Sequence, residues 1–296
     1  MNTARRGLLA PGNRAFAVAR GTVRGTFSDG FIHAGNLAYL AMVALFPFFV
    51  LGAALFQLIG GPQQAETLVL SVVASLPPAV AEEIRPAAIA AVRARTGWVL
   101  WLGAAVALWT VSSLIETIRD ILRRAYRADS TGTAFWRYRL GSIGLILASV
   151  IAMMFSLFAQ VAIGTAEEVI RSIFPQFGDV IALLRLSRLA PAVLLGASLW
   201  ALFYSLTPQP YRQKRSPTWP GALATAIWWI AVATALPIIL RYFLSFDLTY
   251  GSLAGIMVTL FFFWLIGLGI VIGAELNAAL AREGNPAQAQ AKEVRI

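Results

Sequence analysis

The stretch TLFFFWLIGLGIVIGAELNAALAREG, Thr259–Gly284, decides how this chain is read. Upstream of Glu275 no charged residue occurs until Asp247. An uncharged apolar run of that size meets the roughly 20 residues that a helix needs to cross a bilayer. The run then ends on Glu275 and Asn277. A carboxylate near a helix C-terminus is opposed by the helix dipole, so Glu275 is expected to have a compensating partner.

The rest of the chain repeats the pattern. Over 296 residues the mean hydropathy is +0.72, and charged residues make up 13%, about half the share of a soluble domain. Long apolar runs recur at about 31–60, 97–118, 139–164, 188–206, 219–241 and 250–279. A membrane barrel would show short alternating segments instead, and helices close their own backbone hydrogen bonds in lipid. The expected fold is an all-α polytopic membrane protein: six transmembrane helices, with amphipathic interfacial helices in the outer loops. The organisation is a cytoplasmic N-terminal tail (1–29), a six-helix membrane domain (30–282) and a cytoplasmic C-terminal tail (283–296). The first run lies too far in, and is too long, for a cleaved signal segment. Pro47 is expected to kink it.

Charge sets the orientation. Of the 24 Lys and Arg residues, seventeen fall in the N-terminal tail, the loops 116–139 and 207–218, and the C-terminal end from Arg282 on. The positive-inside rule places that side, with both termini, in the cytoplasm. The net charge of +10 then reads as topology and attraction to anionic headgroups at the cytoplasmic face. Nucleic acid is not an expected partner. Outside, 62–76 and 79–95 place apolar residues on one helical face, and 166–181 does so in part. These segments would either pack on the bundle or form a lid at the interface. On the inner side, FWRYR (135–139) is expected to sit at the interface with snorkelling arginines.

Ionisable and polar residues in spans are costly and often functional. His33, Asn36, Glu116, Arg119, Glu275 and Asn277 all fall near the cytoplasmic boundary by this topology and are expected to form one polar cluster, with Glu275 paired to Arg119 or to protonated His33. At the other end Arg241, Asp247, Tyr250 and Gly251 form an outer turn or gate. Tyr39 is expected to hydrogen-bond between helices. The GxxxG pairs Gly251/Gly255 and Gly269/Gly273 allow close helix contact. With no cysteine and one histidine, neither a metal site nor a cofactor is expected.

Four blocks, AGNLAYLAMVALFPFF (34–49), LWTVSSLIETIRDILRRAYRAD (108–129), WPGALATAIWW (219–229) and TYGSLAGIMVTLFFFWLIGLGIVIGAELNAAL (249–280), together resemble the YihY/BrkB family of bacterial inner-membrane proteins, once labelled ribonuclease BN. The resemblance covers most of 30–282. It implies six membrane helices, a bacterial inner-membrane location, and a part in envelope integrity and lipid movement. The expected function is transport or translocation of lipids or another envelope component, with membrane lipids as partners. The alternative is a non-transporting scaffold that recruits envelope proteins. A nuclease would want clustered His, Asp or Glu ligands, and the chain offers no such spacing, so ribonuclease activity is not expected.

Overall fold

A computed structural model of the chain describes residues 14–60, 62–93, 98–128, 139–144, 146, 190–212, 217–243 and 253–284. No strand occurs among them. Helix α1 (Arg14–Gly25) passes through a π-helical turn (Thr26–Gly30) into α2 (Phe31–Gly60). A hairpin of α3 (Pro62–Ala74) and α4 (Pro78–Arg93) leads to α5 (Trp98–Ala125). Residues 139–144 are helical. Then come α6 (Ala190–Leu206), α7 (Trp219–Phe243) and α8 (Ala254–Gly284).

Four stretches are long and apolar enough to cross a membrane: Arg14–Ala54, Trp101–Ala125, Trp219–Leu240 and Ala254–Glu283. The all-helical class therefore holds among the described residues, with four membrane-crossing candidates rather than the six expected. α6 is apolar but only 17 residues long. Most of the expected span 139–164 lies outside the described residues, as does 166–181. The sequence boundary at 30 also cuts a continuous helix, because 14–30 are helical and pack on α8.

α8 is the axis, touching α1, α2, α4, α5 and α7. One of its faces carries Gly267, Val271, Glu275 and Ala279, four residues apart. Antiparallel to it run α1 and α2. A Cβ on Gly21 would touch Ala279, one on Gly25 would collide with the Glu275 carboxylate, one on Gly30 would lie 2.9 Å from Val271, and one on Gly267 would lie 3.0 Å from the Ala34 carbonyl. The partner residues step by four, but Gly25 and Gly30 are five apart. The extra residue belongs to the π turn, which widens the i→i+4 spacing to i→i+5 and so keeps both glycines on the seam.

The other face of α8 meets α7 almost backbone to backbone. A Cβ on Gly221 would run into the Gly273 carbonyl, and one on Gly273 into the Thr225 hydroxyl and the Gly221 carbonyl. The Thr225 hydroxyl lies 2.9 Å from the Gly221 carbonyl and 3.0 Å from the Gly269 carbonyl, sharing one proton between them. The indole N–H groups of Trp228 and Trp229 donate to the Leu265 and Ile266 carbonyls at 2.7 and 2.9 Å. Helix carbonyls keep a second lone pair for such bonds, and small residues at the crossing let the donors reach them.

The outer amphipathic segments pack on the bundle. Val69, Val73, Val80, Ile84, Ala88 and Ala91 are buried in the same cluster as Phe49, Ala107 and Phe262. The Glu83 carboxylate on α4 lies against Gly255, one residue into α8, where the positive end of the helix dipole favours an acid. Tyr39, expected to bond between helices, is 63% exposed and points away from them.

The crossings give a direct stability prediction. Gly273→Leu would meet a hydroxyl and a backbone carbonyl, so it is expected to cost more than the roughly 1–3 kcal/mol of ordinary overpacking. Gly196→Ala has nothing within 4 Å of its new methyl and is expected to leave the unfolding midpoint unchanged or raise it. Thermal unfolding in detergent compares the two; equal midpoints would show that the α7–α8 approach is not tight.

Candidate functional site

The six residues expected in one cluster divide among separate settings. Asn277 is fully buried and faces α7. Its Oδ1 accepts from the Gly221 N–H at 2.8 Å, and its Nδ2 donates to the Thr218 carbonyl at 2.9 Å. Gly221 lies in the first turn of α7, where backbone N–H groups have no intrahelical acceptor. Pro220 brings none, and the Thr218 hydroxyl is engaged by the Trp200 indole at 3.1 Å. Asn277 thus caps α7 from a different helix, a structural role.

Glu275 lies under the π turn, its carboxylate against Gly25. Its ion-pair partner is Arg282, two turns along the same helix, with Nη2 3.8 Å from Oε2. Arg282 Nη1 donates to the Ala125 carbonyl at 2.9 Å. Ala125 ends α5, so this guanidinium both satisfies a terminal carbonyl and places a cation at the negative end of the α5 dipole. The helix stops in a Schellman motif: the Ala128 N–H donates to the Arg123 carbonyl and the Arg127 N–H to the Arg124 carbonyl, each at 2.9 Å. Arg127 takes the left-handed position (φ 50°) that glycine usually fills. Asp29 and Arg127 add their charges around Glu275. His33 is half-buried near Asp29 and Arg124, and Asn36 is exposed.

Glu116 belongs to a second arrangement, with a residue that sequence reading left at the interface. Arg139 is 4% exposed. Its Nη1 donates to Glu116 Oε2 at 2.8 Å, and its Nη2 to the Trp109 carbonyl at 2.7 Å and the Ser113 hydroxyl at 3.3 Å. The guanidinium stacks 3.8 Å from the centre of the Trp109 ring. Glu116 lies in the candidate span Trp101–Ala125, nine residues from the end of α5, about 13 Å at 1.5 Å per residue, and Arg139 reaches it from the segment 139–144. Arg119 is half-buried on the same helix. Asp120 pairs with Arg123 at 3.5 Å.

The remaining site residues are placed as follows. Pro47 sits half-buried inside α2, where its missing N–H deprives the Val43 carbonyl of a helical donor. Arg241 falls within α7, but its side chain, with Asp247, Tyr250 and Gly251, lies outside the described residues. Among the described residues no three His, Asp or Glu side chains come together as a metal-holding group.

A family model described as virulence factor BrkB matches residues 24–295. The chain belongs to that family. It is also 30% identical over 261 residues to a protein of Bacillus subtilis (strain 168) named as ribonuclease-like, YfkH, an alignment covering 87% of this chain and 92% of the relative. No solved structure matches the chain. The matched region takes in both arrangements: Gly25 with Glu275 and Arg282, and Glu116 with Arg139. This is a membrane protein of the BrkB family in which Glu275–Arg282 and Glu116–Arg139 form two separate arrangements.

Both settings make quantitative expectations. Gly25→Ala drives a methyl into the Glu275 carboxylate, a cost of about 1–3 kcal/mol for overpacking. In a Glu275→Ala background the obstacle is gone, so the same change is expected to cost almost nothing, a coupling that a double-mutant cycle in detergent reads directly. Asn277→Ala strips the cap from α7 and leaves a buried N–H and a buried carbonyl short of partners, about 1–3 kcal/mol. Additive effects at 25 and 275 would mean that the carboxylate can move away from the seam.

Proposed function

We propose that the protein moves lipids or another amphipathic envelope component across a bacterial inner membrane, with both termini in the cytoplasm. The observation that carries this reading is the Arg139–Glu116 pair, held within a candidate membrane span and buried on the arginine side. Ionisable groups at such depth are retained against a substantial desolvation cost, and they mark substrate or ion paths more often than they stabilise a fold. The arginine-rich end fits the cytoplasmic side by the positive-inside rule, and its cations suit anionic headgroups as partners. The Glu275–Arg282 pair under the π turn supplies a second polar point at that end; π turns recur at functional sites.

A second reading rests on α1. Arg14, Arg20 and Arg24 are exposed on it, so the protein would instead recruit envelope proteins, without transport. On that reading substitutions at Arg20 and Arg24 abolish function and those at Glu116 only weaken the fold. The ribonuclease-like wording belongs to the relative, and neither ion pair resembles a hydrolytic centre.

Purified protein in liposomes with fluorescent anionic and zwitterionic phospholipids tests the proposal. Wild-type protein is expected to speed exchange between leaflets over protein-free vesicles, and folded Glu116→Gln and Glu275→Gln variants to slow it at least tenfold. Folded wild-type protein that leaves the leaflets unexchanged for both lipid classes would defeat the lipid reading.

A further inference from the structure

Ser112, Glu116 and Arg119 recur along α5 at intervals of four and three, so they share one helix face. Arg139 reaches that face from the segment 139–144, with Ser142 one turn beyond it. Ser112 Oγ, Ser142 Oγ and Glu116 Oε1 are buried and, among the described residues, have no hydrogen-bond partner. Both serines are 0% exposed.

The serine hydroxyls depart from the habit of their own helix. Thr110, Ser113 and Thr117 on α5 each place their hydroxyl against the carbonyl four residues back, at 3.0, 3.3 and 3.0 Å. That is the ordinary resting place of a hydroxyl in an apolar helix. Ser112, between them, makes no such bond, and neither does Ser142. Ser112 is next to Ser113 and one turn from Trp109 and Glu116, all three of which touch the Arg139 guanidinium, and the fork geometry of that group suits phosphate oxygens.

We propose that Arg139, Ser112 and Ser142 form a binding site for a phosphate group inside the membrane domain. This rests on the translocation reading above and names the chemistry of its cargo. The phosphate takes the place of the Glu116 carboxylate on Arg139. Glu116 is the more accessible partner, with its side chain 25% exposed against 5% for Arg139, so it is the one free to withdraw. The two hydroxyls donate to the incoming oxygens. Trp109 holds the guanidinium plane from the other side. Arg119 stands three residues further along the same helix face, and its cation offsets part of the added negative charge.

The test uses the full chain in dodecyl maltoside, a detergent without phosphate. Dioctanoyl phosphatidylglycerol, dioctanoylglycerol and inorganic phosphate are titrated separately and in competition, with binding followed by calorimetry. The phosphatidylglycerol is expected to bind, with dioctanoylglycerol failing to displace it. Affinity falls at least tenfold in Arg139→Gln and at least fivefold in the Ser112→Ala/Ser142→Ala double variant, whose small changes preserve the fold if Arg139→Gln does not. Inorganic phosphate binding as tightly at the same residues would keep the site and assign it to free phosphate. Equal binding by wild type and the serine variant, or displacement by dioctanoylglycerol, would overturn the site and leave the serines as hosts for buried water. Leaflet exchange is scored separately. Binding without exchange keeps the site and removes translocation; exchange unaffected by these residues does the reverse.

Discussion

The near contact of the α7 and α8 backbones at Gly221, Gly269 and Gly273 governs the rest of the structure. In lipid there is little hydrophobic gain in bringing two apolar helices together, so association depends on close packing and on hydrogen bonds between helices. Glycine supplies the first by removing the Cβ that would hold the axes apart. The second then becomes available, because Thr225, Trp228, Trp229 and Asn277 come within reach of backbone groups across the crossing. With one face of α8 committed to α7, its opposite face is left for α1 and α2, and Glu275 is turned under Gly25.

That placement joins three helices at the arginine-rich end. Arg282 answers Glu275 on its own helix and the terminal carbonyl of α5 at once. The Schellman turn beyond Ala125 satisfies further carbonyls of α5 and sets Arg127 beside the same charges. The Glu275 carboxylate, nine residues short of the end of α8, is therefore balanced by a cation that α5's dipole favours. On the other side of α5, Arg139 is buried against Glu116, so the pair forms with little water around the guanidinium. The two pairs belong to different faces: Glu275–Arg282 fastens helix ends, and Glu116–Arg139 ties the segment 139–144 to α5.

Much of this was legible before any coordinates. The run before Glu275 identified a helix long and apolar enough to cross a membrane. A carboxylate in so apolar a helix needed a partner, but the dipole argument for it fails, because α8 runs on to Gly284 and leaves Glu275 more than two turns from its end. Arg282, seven residues on, was a legible partner too, since that interval returns to one helix face. The tail was harder. Its arginines read as solvent-facing charge, while Gly21, Gly25 and Gly30, spaced for a helix seam with one added residue, carry the contact with α8.

The sequence by itself determined the solvent: low charge and long apolar runs oblige the chain to form helices, since lipid leaves no other partner for the backbone. It also determined which residues would be expensive to place. Only the tertiary structure decided how that expense is met. Asn277 turns to cap α7, Glu275 turns to Arg282, and Glu116 turns to Arg139. Those choices depend on which face of each helix its neighbours occupy. Side chains four and seven residues apart share a face whatever surrounds them, but a pair such as Glu116 and Arg139 meets only once two helices have docked.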